Sequence, residues 1–272
     1  MKRHSPVPAS AVRIARHAAA LIWATGVTVS LLAGCGQEIP VGSDVLWTAR
    51  FESNDFSEWT SVIGGAATAF PAPNMFETSS ERAHHGSFAA KLTVDAEPSG
   101  VQANAGLSRS GNLPVEGYYS AWYYLPNTVT VGTFWVIFKF RLRTVADDAT
   151  TSAELYDLNL TNLPTGQMSL RLYDHRTGEI PLDVSPPVVP VGAWFQIESF
   201  YRNAPDATGQ VAFWLNGEPI VNIAGQPMAT NPWVAWDVVS VAVDLAPSVA
   251  VLYVDDCALS RTRVGPAGTI AR

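Results

Sequence analysis

Cysteine is scarce in this sequence, which has only two, Cys35 and Cys257, among its 272 residues. Two cysteines allow at most one intrachain disulfide, so a disulfide-rich scaffold is excluded. The sequence also lacks a Gly-rich phosphate loop, a His-Glu-x-x-His zinc motif and a Gly-x-Ser-x-Gly nucleophile elbow. These absences argue against a P-loop nucleotidase, a metalloprotease of that motif and an α/β-hydrolase.

Acidic residues are absent from the first 34 positions, which carry four basic ones. An apolar stretch over residues 18–32 follows them. It is interrupted by polar residues, so it is shorter than the roughly 20 apolar residues that a membrane-spanning helix needs. A basic region followed by a short apolar core is typical of a cleaved signal. We therefore predict that residues 1–34 are a signal peptide.

The apolar stretch ends in Leu32-Ala33-Gly34-Cys35, which resembles the bacterial lipobox, where small residues precede a cysteine that becomes lipid-modified. We predict lipidation at Cys35, which would make the protein a secreted lipoprotein, extracytoplasmic and held to a bacterial membrane through this lipid anchor only. The alternative is an ordinary secretion signal followed by a chance cysteine. If Cys35 carries lipid, Cys257 has no intrachain partner, and the domain must fold without a disulfide.

Basic residues are in the minority along the chain. There are 17 Lys and Arg against 24 Asp and Glu, and loss of the four basic residues before Cys35 leaves 13 against 24, a formal net charge of −11. Nucleic acid is bound by clustered Lys and Arg, and the chain has no basic run. We therefore predict no nucleic-acid partner.

The remaining chain, about 220 residues, is long enough to bury one large core. Residues 35–46 have the polar, Gly- and Pro-containing composition of a tether. Residues 47–262 alternate runs rich in β-branched and aromatic residues with turn residues at intervals of about ten, which predicts a sandwich or barrel, and residues 263–272 are a tail. Asn216-Gly217 predicts a tight hairpin turn. The clearest predicted strands are 45–51, 88–94, 118–125, 134–143, 154–161, 168–174, 194–201, 211–215, 238–245 and 249–259.

Several predicted strands alternate apolar with polar residues, so one face of the sheet is core and the other is polar. The polar faces carry planar, hydrogen-bonding and cationic groups, which suit sugar hydroxyls and carboxylates. The alternative is the solvent side of an ordinary antiparallel sheet, which always needs a polar face. The candidate binding residues are Lys139, Arg141, Asn159, Arg171, Tyr173, His175 and Gln196.

Four segments occur in an order that resembles a known fold family: 51–59 (Phe-Glu-Ser-Asn-Asp-Phe-Ser-Glu-Trp), 85–92 (His-Gly-Ser-Phe-Ala-Ala-Lys-Leu), 214–218 (Trp-Leu-Asn-Gly-Glu) and 253–260 (Tyr-Val-Asp-Asp-Cys-Ala-Leu-Ser). Together they are similar to concanavalin A-like jelly rolls of the polysaccharide lyase class, closest to the heparin lyase I and glucuronan lyase-like group. The resemblance covers residues 47–262. It implies an all-β, concanavalin A-like jelly-roll sandwich of two antiparallel sheets.

Lyases of this class cleave uronate chains by β-elimination, which needs a group to neutralise the C5 carboxylate, a base for the C5 proton and an acid for the leaving oxygen. The resemblance implies a protein that cleaves or binds acidic, uronate-containing polysaccharides, and the predicted lipid on Cys35 would anchor it at the cell surface. It assigns catalysis to Arg171, Tyr173 and His175. Substrate binding falls to Lys139, Arg141, Asn159 and Gln196. Lyases of this group often carry Gln and His at the positions of Lys139 and Arg141, so the sequence departs from the pattern there.

Two other functions stay open at this stage. The first is a non-catalytic, lectin-like jelly roll that holds such glycans at the cell surface, because the same opening and closing strands occur in carbohydrate-binding modules. The second is a structural envelope lipoprotein that uses the sandwich for protein contacts. A retaining glycosidase of this fold is not expected, since the chain has no strand with the Glu-x-Asp-x-x-Glu carboxylates.

The resemblance also implies a structural Ca²⁺ between the first and last strands. Glu52 and the pair Asp255 and Asp256 match the expected carboxylates, and carboxylate oxygens are ligands that Ca²⁺ prefers. The alternative is an acidic pair in water at an edge strand. His84 and His85 could bind a metal but cannot fill a site alone, so we expect a structural role for them.

Overall fold

The computed structural model describes residues 38–39, 44–64, 75–98, 100–111, 113–143, 151–229, 233–266 and 269–270. The chain divides into two compact units, Met1–Cys35 and Gly36–Arg272, and every described residue lies in the second. The predicted signal peptide, Cys35 and most of the predicted tether therefore lie outside the described residues. Among the residues that are described, no helix has the length and apolarity to cross a membrane.

The described residues form β-strands and no helix, as the turn spacing predicts. Seven strands form one antiparallel sheet, in the spatial order β11 (Gly178–Ile180), β10 (Met168–Asp174), β9 (Thr151–Asn162), β8 (Thr130–Arg143), β15 (Val234–Ala246), β6 (Ala103–Arg109) and β3 (Ser61–Gly64). Eight strands form the other, in the order β14 (Glu218–Ala224), β13 (Gln210–Leu215), β12 (Trp194–Arg202), β7 (Glu116–Tyr124), β16 (Val249–Ser260), β5 (Ala89–Asp95) and β4 (Met75–Ser79), with β2 (Val45–Ala49) also paired to β16. A separate parallel pair joins β1 (Glu38–Ile39) to β17 (Thr269–Ile270).

The hydrophobic core lies between the two sheets and is rich in aromatic rings. Phe140 of the seven-stranded sheet stacks on Tyr201 of the eight-stranded sheet, with ring centroids 4.4 Å apart, and meets Tyr119 edge-on at 5.1 Å. Trp236 lies 5.7 Å from Phe138 on the neighbouring strand. Aromatic pairs of this kind contribute about 0.5–1.5 kcal/mol each beyond the area they bury. The two antiparallel sheets packed face to face confirm the predicted concanavalin A-like jelly-roll sandwich.

The opening and closing strands are neighbours, since β2 pairs with β16 and Trp47 lies opposite Leu259. Cys257 of β16 is fully buried and has no disulfide partner within the described chain. Burial raises the pKa of its thiol, so the reactive thiolate is disfavoured.

The hairpin predicted at Asn216-Gly217 connects β13 to β14. Both residues have positive φ, 50° and 85°, as a tight primed turn requires. The Asn216 side-chain oxygen accepts the backbone N–H of Gln196 on the adjacent strand at 2.8 Å. This side-chain contact ties the turn to the rest of the sheet.

Candidate active site

Strand β10 and the turn that follows it carry three polar side chains on the outer face of the seven-stranded sheet. Its alternate residues Leu170 and Leu172 are buried in the core between the sheets. Because successive side chains of a strand point to opposite faces, Arg171 and Tyr173 point outward, and His175 follows with the same parity. The outward face of this strand is the one that the sequence pattern predicts.

The register of the sheet places polar residues of two further strands beside β10. Arg171 lies opposite Asn159 of β9, and Tyr173 lies opposite Asp157. Asp157 in turn lies opposite Lys139 of β8. Side chains of three adjacent strands thus form one continuous polar patch.

This patch lines a surface cavity of about 470 Å³. Cavities of that size hold small ligands or a few sugar units, since ligand pockets measure roughly 300–1,000 Å³. Five of the seven predicted catalytic and substrate-binding residues are among its walls. The lining residues are Gln102, Thr133, Phe134, Val136, Lys139, Glu154, Asp157, Asn159, Arg171, Tyr173, His175 and Val241.

His175 is paired with an acidic residue on the neighbouring strand. Its Nε2 atom lies 2.9 Å from Oδ2 of Asp157. The hydrogen bond to Asp157 raises the pKa of His175, because the carboxylate favours the charged imidazolium. The Tyr173 ring meets the imidazole edge-on, with centroids 5.1 Å apart, and is the more exposed of the two lyase-type proton-transfer candidates.

Lys139 is nearly buried at the floor of the cavity and has two acidic neighbours. Its Nζ atom lies 3.1 Å from Oε2 of Glu154 and 3.6 Å from Oδ1 of Asp157. The walls therefore combine the cations Lys139, Arg171 and His175 with two carboxylates. The basic face predicted from the sequence is in large part compensated within the protein.

Arg171 is held at the rim of the cavity by its guanidinium group. One terminal nitrogen donates to the Thr133 carbonyl at 3.0 Å, and the other lies 3.7 Å from the carboxylate of Glu179, which is exposed. The Nε atom is buried without a hydrogen-bond partner among the described residues. Arg171 is the cation of this cavity with the weakest internal neutralisation.

The structure does not bring two of the predicted substrate-binding residues to the cavity. Arg141 shares the outer face, but its guanidinium is paired with the carboxylate of Asp237, which is fully buried. Gln196 lies on β12 of the other sheet, where its side-chain nitrogen donates to the Gly265 carbonyl at 3.0 Å. The alternation of apolar and polar residues predicts the correct face for Arg141 and for Gln196. It does not indicate which residue pairs with Arg141 or which sheet contains Gln196.

Comparison with known proteins shows that solved structures share this fold. An endo-β-1,4-glucuronan lyase from the fungus Trichoderma reesei has a similar structure, with a TM-score of 0.61 and 15% identity over 83% of this chain and 100% of that chain. The cellulose-induced protein Cip1 gives 0.52 and 16% over 80% and 98%, and the T. cruzi calreticulin globular domain gives 0.52 and 12% over 80% and 89%. These likenesses establish the fold. No family model matches the sequence, and no curated protein matches it significantly.

Two acidic residues of the cavity, Asp157 and Glu154, are not among the site residues predicted from the sequence. Asp157 has the same parity as Asn159, so the period-two pattern of β9 places it on the polar face. Glu154 follows the opposite parity, since the register shifts where β9 pairs with β8 and both Leu155 and Tyr156 become buried. No sequence signal marks that irregularity.

The carboxylates predicted to bind Ca²⁺ lie around a single loop, residues 84–88. Glu52 accepts the backbone N–H groups of Ser87 and Phe88 at 2.9 and 3.0 Å. Asp255 accepts those of His84 and His85 at 2.8 and 3.2 Å. Burial and the adjacent carboxylate raise the pKa of Asp255 to about 8. Both side chains thus serve to hold the loop in place.

The third carboxylate, Asp256, faces nitrogen atoms. Its Oδ2 lies 2.7 Å from Nδ1 of His84 and 2.5 Å from Nδ1 of His85. Calcium takes six to eight oxygen ligands, so a centre flanked by two imidazoles does not fit it. The predicted set Glu52, Asp255 and Asp256 is therefore divided between loop anchoring and a mixed nitrogen and oxygen cluster.

Proposed function

We propose that this protein is a polysaccharide lyase-like protein that binds an acidic, uronate-containing glycan in the 470 Å³ cavity of the seven-stranded sheet and cleaves it by β-elimination. The observation that carries the proposal is that Arg171 and Tyr173, at alternate positions of β10, and His175, in the turn that follows, line one cavity. The similarity in fold to a glucuronan lyase supports it.

The chemistry follows from the groups at hand. Arg171 at the rim is placed to pair with a uronate carboxylate, which makes the C5 proton more acidic by neutralising the charge. Asp157 accepts a hydrogen bond from Nε2 of His175 and raises the pKa of its imidazole, so the neutral ring can take the C5 proton as the base. The Tyr173 hydroxyl donates its proton to the leaving oxygen as the bond from C4 to that oxygen breaks and the double bond between C4 and C5 forms. Lys139 and Asn159 complete the floor and wall that position the sugar.

The test is an activity screen of the full-length protein against uronate polymers, beginning with glucuronan, with a neutral glucan as the control polymer. β-Elimination leaves an unsaturated uronate, which absorbs in the ultraviolet. We expect product from the parent, and a loss of roughly 10²–10⁴-fold in rate for Tyr173→Phe and for His175→Gln, the range that a general acid or base contributes. Arg202→Ala, on the other sheet, is the matched surface control. Full activity of both site variants would remove the assignment.

A second function, a non-catalytic glycan-binding protein, is favoured by the internal neutralisation of the cavity. Lys139 and His175 are already engaged by Glu154 and Asp157, as in a site that binds without transferring protons. Binding of glucuronan without any unsaturated product would support this function over the lyase. Absence of binding would argue against both.

We also propose that the domain acts at the cell surface, attached through lipid on Cys35. The proposal rests on the lipobox-like Leu32-Ala33-Gly34-Cys35 alone. A single anchor of this kind would keep a glycan-binding cavity next to the envelope.

A further inference from the structure

We propose that His84, His85 and Asp256 form a binding site for a divalent transition metal ion of the zinc class, in the place where the sequence predicts calcium. One ligand atom from each of the three residues lies within 4.8 Å of the others, and the cluster contains no other acidic residue, cysteine or histidine among those that the structure describes. Nδ1 of both histidines lies within hydrogen-bonding distance of Oδ2 of Asp256. No residue of the cluster lines the candidate active site. The proposal is thus independent of the lyase function.

The backbone is shaped to bring these three side chains together. The pairing of β16 with β7 is interrupted between Asp255 and Ala258, and Asp256 adopts a positive φ of 43°, which is unusual for a residue other than glycine. This irregularity points two consecutive aspartates at one loop. Asp255 takes the backbone N–H groups of His84 and His85, so the Asp256 carboxylate is left to face their rings.

The two imidazoles differ in how firmly they are held. His84 stacks on Trp122, with ring centroids 3.9 Å apart and an angle of 18°, and meets Trp194 edge-on at 5.5 Å. Its side chain is 15% exposed, whereas that of His85 is 43% exposed. One ligand is therefore fixed in orientation by aromatic packing. The other borders solvent, from which an ion can enter and a water can complete the shell.

The donor set selects the class of ion. Two imidazole nitrogens and one carboxylate oxygen match the mixed ligation that zinc accepts with three protein ligands and one open position. Imidazole suits zinc and related transition metals, whereas calcium and magnesium prefer oxygen. With its nitrogens supplied by adjacent residues 84 and 85 and its oxygen by residue 256, the site would also join the loop to the last strand of the sandwich.

The test is a metal titration of the full-length chain, produced without a histidine tag and stripped with a chelator. We expect Zn²⁺ to bind with one-to-one stoichiometry by calorimetry and to raise the melting temperature, because an ion that binds only the folded state stabilises it. Ca²⁺ at the same concentration should do neither. Co²⁺, bound in place of Zn²⁺, should give the visible absorption bands of a low-symmetry site.

Variants distinguish a metal site from a cluster held by hydrogen bonds alone. His85→Gln changes the more exposed ligand and should weaken Zn²⁺ binding by more than the roughly 10- to 100-fold that loss of an outer partner costs. His175→Gln changes the histidine of the candidate active site and should leave binding unchanged. Stabilisation by Ca²⁺ but not by Zn²⁺, no effect of either ion, or equal Zn²⁺ affinity of the parent and His85→Gln would each overturn the proposal.

Discussion

The imidazole of His175 and the carboxylate of Asp157 lie 2.9 Å apart across two adjacent strands, at the wall of the cavity on the seven-stranded sheet. The other oxygen of this carboxylate, Oδ1, lies 3.6 Å from Nζ of Lys139. Asp157 thus joins two of the three cations that a uronate would meet. The protonation of His175 depends on this contact, because the hydrogen bond raises the pKa of the imidazole.

The first prediction concerns the titration of His175. The hydrogen bond that Asp157 accepts from His175 raises the pKa of the imidazole, while burial acts in the opposite direction. In Asp157→Asn the carboxylate is gone, so the pKa should fall to about 6.5, the ordinary value, or below it. An NMR titration of the His175 imidazole in the parent and in the variant would measure this. An unchanged pKa in the variant would show that Asp157 does not set the charge of His175.

The same pair makes stability depend on pH. A histidine with a raised folded-state pKa stabilises the folded protein fully below its unfolded pKa of about 6.5. That stabilisation is lost as the pH rises through the raised folded value. We therefore expect the free energy of unfolding of the parent, measured with urea, to decrease as the pH rises over this window. The decrease should be smaller for Asp157→Asn. Parallel pH profiles would contradict the expectation.

The second prediction concerns glycan binding by Arg171. Replacement by Ala removes a charge-assisted contact to a uronate carboxylate, and such contacts contribute roughly 1.5–3 kcal/mol. Glucuronan binding should weaken by about ten- to a hundred-fold, since 1.4 kcal/mol corresponds to one decade. Calorimetry on the parent, Arg171→Ala and the control Arg202→Ala measures it. If Arg171→Ala binds as the parent does, the glycan lies elsewhere.

The third prediction separates Arg141 from the binding residues. Asp237 is fully buried, so Arg141→Ala would leave a charge without its main partner in the interior. Loss of one member of a buried pair costs about 3–5 kcal/mol of the free energy of unfolding. Urea unfolding should show this loss, and Arg141→Ala with Asp237→Asn should recover part of it. If Arg141→Ala had an unchanged unfolding midpoint and weaker glycan binding, Arg141 would be a substrate-binding residue after all.

The fourth prediction concerns Cys35, which lies outside the described residues. Cys35→Ser should abolish incorporation of a labelled fatty acid and leave the protein unprocessed or free of the membrane. Cys257→Ser is the matched control and should keep the label. Equal labelling of Cys35→Ser and the parent would remove the lipoprotein hypothesis.

Much of the candidate site was predictable because it depends on local alternation. Arg171 and Tyr173 occupy alternate positions of one strand, His175 follows in the turn with the same spacing, and the apolar neighbours Leu170 and Leu172 are buried. A period-two pattern therefore determines the face on which each side chain lies. Lys139 and Asn159 lie in the same cavity because their strands, β8 and β9, precede β10 directly in sequence and the three strands lie side by side in the sheet.

The strands with weak patterns were harder to predict. Strand β6, Ala-Asn-Ala-Gly-Leu-Ser-Arg, has few of the residues that favour strands, yet it lies inside the seven-stranded sheet between β15 and β3. A β-carbon on Gly106 would lie 2.6 Å from a methyl carbon of Val239, so glycine is needed for the two strands to approach. Tertiary packing outweighs intrinsic propensity there.

The sequence by itself determined the fold class, the faces of the strongest strands and the absence of a disulfide framework, since these depend on composition and on spacing along the chain. Only the tertiary structure decided which sheet contains Gln196. It also decided that Arg141 forms an ion pair with Asp237, and that the rings of His84 and His85 contact the carboxylate of Asp256. Those contacts join residues 96, 172 and 171 positions apart. They depend on strand order and on register irregularities, and local patterns encode neither.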